Sequence, residues 1–432
     1  MLILDKFSLY SLHYQGYNKH TRQNFFKKEQ LMYNIKLTDY IPEPHPVSSK
    51  YIVAAHYYAA WKKGSAGLHN AFDDLHEFPE RTPLMGYYDE ENPEVADWEI
   101  KWAVEHGINC FIHCWYRRRE NMGKPVTVEA LRCAHALHDS FFNSKYQKLM
   151  NFAIMYEAQE RWGGTDEKDL VENLLPFWME NYFKRENYLV IDNKPVLFVY
   201  DTQDQIANAF ATPADQKRAF DAAREYCKKC GFDGLYIGIA YIDSESKNID
   251  KVIADYRARG YDFNFAYCWF LDGTECDTDE KIIKKQYEIQ KKRVDADPSF
   301  FNTTASCFWD PEPRLTSMKG VIDYGTNKWY ISPEGYRGVL RDCKKLAESM
   351  PEDSIGRKLI MIDNWNEWDE GHFVAPSHKF GFKYLQAIRE ELTERDNLPD
   401  YRTPQEIGLS DFNKSWGEPN LSEICKKKFG LK

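Results

Sequence analysis

Lys358-Leu-Ile-Met-Ile-Asp-Asn-Trp-Asn-Glu-Trp-Asp-Glu-Gly371 begins as a strand and ends as a cluster of acids. The apolar run Leu359 to Ile362 has the composition of a buried strand. It gives way to two glutamates, Glu367 and Glu370, set among Trp365, Asn366, Trp368 and Asp369 and closed by Gly371. A strand end that presents paired acids between indole rings suits a sugar site. One acid can hold a proton for a leaving oxygen while the other takes one up, and indole faces stack on pyranose rings. The competing reading is an exposed acidic turn, but two tryptophans directly after an apolar strand speak against it.

Upstream of this stretch the same alternation recurs. Short apolar runs rich in β-formers read as strands at 51–58, 108–115, 152–157, 196–201, 235–241, 263–269 and 303–309, with 359–364 as the eighth. Amphipathic stretches predict helices at 93–106, 126–142, 167–183, 213–229, 247–259, 279–294, 333–349 and 381–392. Several starts carry cap chemistry: Asn92-Pro93, Thr165-Asp166, Thr212-Pro213 and Ser332-Pro333. Eight strands, each followed by a helix, predict an α/β fold of one closed (β/α)8 TIM barrel. An open doubly wound sheet is the alternative, but no phosphate-binding glycine turn follows the first strand. The expected organisation is an N-terminal extension over 1–50, a catalytic barrel over 51–392 and a C-terminal tail over 393–432 packed on the barrel.

Composition narrows the function classes. Aromatic residues make up 15% of the 432, with 12 Trp and 28 Tyr, which fits a large core and a stacking-rich cleft. A net charge of -10 argues against nucleic acid or an anionic membrane as partner. No apolar run is long enough for a transmembrane helix, and the N-terminal Met1-Leu-Ile-Leu is too short for a secretory core, so the chain as written is expected in the cytoplasm. The 10 cysteines are scattered through apolar contexts and read as buried thiols. The lone Cys227-Lys-Lys-Cys230 lacks a second ligand pair for zinc.

In a barrel of this type the active site lies at the C-terminal ends of the strands. Strand one ends in His56-Tyr57-Tyr58 and Trp61, strand two in His113-Cys-Trp115-Tyr116, and strand three in Tyr156-Glu157. Strand four ends in Tyr200-Asp201, strand six in Tyr267-Cys-Trp269, and strand seven in Trp309-Asp310 and Arg314. Each residue alone has a plainer explanation: core packing for the Tyr and Trp residues, a satisfied structural histidine for His56 or His113, an ion pair with Asp310 for Arg314. Their convergence on one barrel mouth favours a sugar site. On this reading Glu367 and Glu370 are catalytic. His56, Tyr57, Tyr58, Trp61, His113, Trp115, Tyr116, Glu157, Trp269, Trp309, Asp310, Arg314, Asn366 and Trp368 contact the carbohydrate.

At these residues the chain resembles the glycoside hydrolase family 99-like proteins, including the WbsX-type sequences labelled as glycosyltransferases. The similarity runs from about Tyr51 to Arg389. It is carried by Tyr57-Tyr58, Gly86-Tyr-Tyr-Asp89, Asn92-Pro-Glu-Val95, His106-Gly-Ile108 leading to Trp115-Tyr116, Asn193-Lys-Pro-Val196 with Tyr200, Trp309-Asp310 through Pro313-Arg314, Ser332-Pro-Glu334, and above all Asn366-Glu-Trp-x-Glu-Gly371. The resemblance implies a (β/α)8 barrel acting at a glycosidic bond without a metal or other cofactor. It also implies that Glu367 draws a proton from the sugar 2-hydroxyl (or acts as nucleophile or base) while Glu370 is the acid/base, one of the substrate-assisted exceptions to the two-carboxylate scheme. Two departures bear on specificity. Tyr156-Glu-Ala-Gln-Glu-Arg-Trp162 stands where the pattern has an Asn-Glu-Asn-Trp-like run, and His372-Phe-Val-Ala-Pro376 stands where a Leu-Glu-Pro segment usually follows.

The expectation is therefore a retaining glycoside hydrolase whose partner is a carbohydrate. The alternatives are a WbsX-type glycosyltransferase of polysaccharide biosynthesis and a non-catalytic carbohydrate-binding barrel. A transferase would need a nucleotide diphosphate site, for which Asp73-Asp74 and Asp277-Thr-Asp279 are the nearest acidic candidates; both read as solvated turns.

Overall fold

The computed structural model describes residues 41–62, 71–158, 164–201, 205–317 and 328–407. Eight strands follow one another: β1 (Ile52–Tyr57), β2 (Cys110–Arg117), β3 (Asn151–Glu157), β4 (Lys194–Tyr200), β5 (Tyr236–Ala240), β6 (Phe263–Phe265), β7 (Thr304–Ala305) and β8 (Leu359–Asn364). They pair in parallel in the order β6-β5-β4-β3-β2-β1-β8-β7. A parallel bridge between Asn264 and Phe301, just ahead of β7, joins the two ends and closes the sheet on itself. The result is a (β/α)8 barrel, as the alternation in the sequence predicts. All eight expected strands form, though β6 and β7 are shorter than their apolar runs. Phe308–Trp309 leaves the barrel wall to pair antiparallel with Trp329–Tyr330.

The long helices are α1 (Pro93–Glu105), α2 over 167–183, α3 (Pro213–Lys229), α4 (Ile249–Ala258), α5 (Asp279–Ala296), α6 (Pro333–Ser349) and α7 (Lys383–Leu392). Side chains of Asn92, Asp166, Thr212 and Ser332 cap α1, α2, α3 and α6 by accepting from backbone N–H groups in the first turn. Pro176, which has no N–H to give, lies inside α2, and the helix widens on both sides of it. The helix expected over 126–142 does not form as one element. Cys133 adopts a left-handed backbone (φ 53), Leu131–Arg132 pairs instead with Tyr116–Arg117, and a single wide turn at Ala136–Ser140 covers β2.

Where the extension and tail are described, they meet each other across the end of α1. Ser48 N–H donates to Asp396, Asn397 donates to the carbonyls of His45 and Glu105, and Asp400 N–H donates to Glu105, whose carboxylate also takes the buried Lys101. Residues 1–40, 408–432 and the Gln159–Trp162 rim lie outside the described residues. No described helix is long and apolar enough to cross a membrane, and the described cysteines are free thiols.

Packing between β5 and β6 depends on a missing side chain. A Cβ placed on Gly238 would lie 2.2 Å from the Phe263 ring. Gly238→Ala is expected to destabilise the barrel by about 1–3 kcal/mol through overpacking, read as a lower thermal midpoint, with partial recovery in the Gly238→Ala/Phe263→Leu double variant.

Candidate active site

Successive side chains of a strand point to opposite faces, so in a closed barrel half face the lumen and half face the helices. On β1 the inward residue is His56: its ring stacks on Phe265 at 5.7 Å and meets Tyr267 at 4.8 Å, both from the far wall of the barrel. Its Nδ1–H donates to the Asp363 carbonyl, and burial lowers its pKa to about 3, so it is neutral. Tyr58, two residues on, lies against the Arg314 guanidinium. From β2, Cys114 reaches Tyr267 across the lumen. Tyr116 shares this face: burial first, then Cys114, Glu157 and Tyr58, raise its pKa well above 10.0. From β4, Tyr200 meets Tyr267 at 5.5 Å, and burial followed by the Glu157 charge keeps its hydroxyl protonated.

The acids sit on a tight loop after β8. Asn366 clamps the loop to β1, its Oδ1 accepting from Tyr58 N–H at 2.8 Å and its Nδ2 donating to Tyr58 O at 2.9 Å. Gly371 turns the chain with φ +66, and a Cβ there would lie 2.5 Å from the Asp310 carbonyl. Arg314 rises from the helical turn Glu312–Ser317 and is buried among three carboxylates. It donates to Asp369 through Nε at 3.1 Å and Nη2 at 3.0 Å, to Glu367 Oε1 through Nη2 at 2.6 Å, and to Glu370 Oε1 through Nη1. Burial opposes its charge, but Asp369 and Glu367 outweigh burial and raise its pKa. Each glutamate has a second partner on its other oxygen. Tyr267 donates to Glu367 Oε2 at 2.7 Å and itself accepts from Asn364, while Glu370 Oε2 lies 3.1 Å from His372 Nε2. Asp310 anchors the loop from β7: its N–H donates to the Glu370 carbonyl, and its carboxylate takes Arg81 at 2.5 Å and Tyr330.

The barrel thus gathers His56, Tyr58, Tyr116, Glu157, Asp310, Arg314, Asn366, Glu367 and Glu370. Trp309 joins them, with its ring 5.1 Å from that of His372, and Trp368 backs the acid loop by donating to Tyr88. Five expected sugar contacts are corrections. Tyr57, His113 and Trp115 alternate outward: Tyr57 donates to Glu99 on α1, His113 lies between Tyr57 and Phe141, and Trp115 donates to Tyr182 on α2. Trp61 stacks on Phe72 at 4.7 Å, and Trp269 is capped by Arg293 of α5 while its indole N–H donates to Thr304 O. Asn366 spends its amide on Tyr58, so it holds the loop. Tyr267, His372, Asp363 and Arg81 were absent from the expected set. Tyr267 was legible as the continuation of the Phe263, Phe265 alternation, and His372 as a departure from the family pattern.

The outward placement of Tyr57 has a measurable consequence. Glu99 is fully buried, and its pKa rises from 4.5 to about 8, chiefly by burial, against the opposing bonds from Trp365 and Tyr57. Between those values the folded chain holds a proton that the unfolded chain has lost, so this group makes stability fall as pH rises, by about 1.4 kcal/mol per pH unit. Glu99→Gln is expected to flatten that slope and to raise the unfolding midpoint at pH 7–8, with little change near pH 4.5. An unchanged slope would contradict the assignment.

Comparison with known proteins bears on the same residues. Residues 37–388 match the family model described as "Glycosyltransferase WbsX". The uncharacterized protein WxcX of Xanthomonas campestris pv. campestris strain B100 is 21% identical over 387 residues, covering 84% of this chain and 50% of WxcX. WxcX of strain ATCC 33913 is 22% identical over 400 residues with the same coverage. The chain therefore spans about half the length of the curated relatives it matches. Among solved structures, the glycoside hydrolase family 99 endo-alpha-mannosidase from Bacteroides thetaiotaomicron superposes with a TM-score of 0.53 at 13% identity, over 80% of this chain and 99% of that one. A protein described as glycoside hydrolase-like superposes with a TM-score of 0.56 at 16% identity, over 82% and 98%. These likenesses concern the fold, a (β/α)8 barrel. The family match takes in every barrel strand and the whole acid loop, and the chain belongs to the WbsX glycosyltransferase family.

Proposed function

We propose that this chain is a retaining glycoside hydrolase acting on an oligo- or polysaccharide. The observation that carries the reading is the pair Glu367 and Glu370, buried together at the end of β8, each with its own hydrogen-bond partner and sharing one arginine. In the first half-reaction Glu367 accepts the proton of the sugar 2-hydroxyl. The 2-oxygen bonds to the anomeric carbon as the glycosidic bond breaks, and Glu370 gives its proton to the leaving oxygen, which keeps the electron pair. In the second half-reaction water bonds to the anomeric carbon as the bond to the 2-oxygen opens. Glu367 returns its proton to that oxygen, and Glu370 takes one from the water. Tyr267 supports this division by donating to the Glu367 oxygen that Arg314 does not touch.

Arg314 imposes a condition. While it contacts Glu370 Oε1 that oxygen carries no proton, so acid catalysis requires the guanidinium to withdraw toward Asp369, which already takes two of its N–H groups. Substrate hydroxyls arriving at Glu370 would drive that shift.

The family's description favours a second reading, transfer from a sugar nucleotide. Against it, the expected acidic motif is committed elsewhere: Asp277 pairs with Lys281, and Asp279 accepts from the Ser332 N–H and hydroxyl, joining α5 to α6. Asp73 and Asp74 lie in a turn beyond β1, where Asp73 faces His76.

Glu370→Gln is expected to abolish hydrolysis of unactivated glycosides, by about 100-fold or more, while preserving the melting temperature and glycan affinity. The measurement is mass spectrometry of mannose-, glucose-, galactose- and rhamnose-containing oligosaccharides incubated with wild type and variant, without metal or nucleotide sugar. Equal cleavage by both rules out Glu370 as the acid. Affinity without turnover in either would favour a binding barrel, and turnover only with a nucleotide sugar would establish a transferase.

A further inference from the structure

His372 follows the acid loop directly, and its imidazole is fully buried between two carboxyl groups. Nδ1 lies 2.5 Å from Asp363 Oδ1, and Nε2 lies 3.1 Å from Glu370 Oε2. Two hydrogen bonds flanking one imidazole require two protons, and ionised carboxylates supply neither. Either the ring is an imidazolium between two carboxylates, or one of the acids carries a proton and the ring is neutral. While Glu370 Oε1 faces Arg314, the three groups hold two protons and a net charge of -1, with one proton lying between His372 and Glu370; the acid-competent state carries a third, on Oε1.

The groups facing His372 from other elements narrow the exchange to this chain of three. His56 on β1 is held neutral by burial, with a pKa of about 3. The Tyr267 ring stands edge-on at 5.5 Å, and burial first, then Cys114 and Glu367, hold its hydroxyl protonated. Trp309 closes the remaining side. Arg314 sits beyond Glu370, on Oε1. Asp363 is buried in the wall of β8, where burial raises its pKa against the pull of His372. The two oxygens of Glu370 are thereby differentiated, one tied to His372 and one directed to Arg314.

We propose that His372, locked by Asp363, is a positioning residue for Glu370 that anchors Oε2 and makes Oε1 the oxygen that gives and takes the catalytic proton. The inference rests on Glu370 being the acid/base of the proposed hydrolase. In the first half-reaction the Oε1 proton passes to the leaving oxygen, and the Nε2–H bond to Oε2 stabilises the carboxylate that forms. In the second half-reaction Oε1 recovers a proton from water, and the His372 contact is the same in both. No proton leaves Asp363 or His372 over the full cycle, so the balance closes on substrate and water alone.

The test compares wild type, His372→Gln, Asp363→Asn and Glu370→Gln on glycosides of one cleaved sugar carrying either a dinitrophenyl or an alkyl leaving group. A dinitrophenolate departs without protonation, whereas an alkoxide needs the acid. His372→Gln is expected to lose about 100-fold in kcat on the alkyl glycoside and less than about tenfold on the dinitrophenyl glycoside, with KM within about threefold and the acidic limb of the pH profile displaced. Asp363→Asn should show the same pattern more weakly. Equal loss on both leaving groups would mean a merely structural histidine and overturn the proposal. A second readout needs no turnover: in ¹⁵N-histidine-labelled protein, the His372 ring signals should shift in Glu370→Gln and in Asp363→Asn. Unshifted signals in Glu370→Gln overturn the proposal whatever the activity. Shifted signals in a protein that cleaves no glycoside would locate the failure in the hydrolase reading, and with it the positioning of a catalytic acid by His372, while leaving the three-group contact in place.

Discussion

Three carboxylates, those of Glu367, Asp369 and Glu370, are buried within reach of one guanidinium, and that arrangement is possible only because Arg314 is there. Removing such charges from water is expensive, and unpaired like charges at this range would force protons onto them or unfold the loop. Arg314 relieves this with a fork of donors that a lysine could not imitate. Its position depends in turn on the turn after β7, whose Asp310 is tied to the acid loop through the Glu370 carbonyl and to Arg81. The site is therefore an electrostatic knot joining the last two strands, with β1 fastened on by Tyr58 and Asn366.

Much of this was legible in the sequence, and what was legible had a period. The strands announced themselves by apolar runs between capped amphipathic stretches, and Glu367 and Glu370 stood out because acids followed a buried strand. The ends of β1 and β2 were harder. His56-Tyr57-Tyr58 and His113-Cys-Trp115-Tyr116 each offer two faces, and composition cannot say which is turned to the lumen. Strand alternation could have separated Tyr58 from Tyr57 and Tyr116 from Trp115 had the register been known, since a shift of one residue exchanges the faces. Trp269 differs for another reason: β6 stops at Phe265, and the alternation that still places Tyr267 beside His56 no longer governs a residue four positions later. The interrupted element over 126–142 failed at Cys133, whose left-handed backbone no propensity foretells.

The family relationship and the fold relationship carry different weight. Matching along 37–388 ties the chain to the WbsX group, while superposition on glycosidase barrels at 13–16% identity speaks to architecture. Between them they frame a (β/α)8 barrel of the WbsX family that carries its acid loop after the last strand. The histidine after Gly371 touches one oxygen of Glu370, and Asp363 beneath it holds the far side of the same imidazole.

The clamp between Tyr58 and Asn366 spans 308 residues of chain. Closing so long a loop carries an entropic penalty that local contacts cannot offset, and parallel pairing of first and last strands cannot begin until both exist. On the ribosome the first seven strands emerge without their acids, and β1 waits with one edge unpaired until β8 arrives. Assembly of the charged loop thus comes late in folding, and a chain truncated before Leu359 would present a sheet with an open edge where the acid loop belongs.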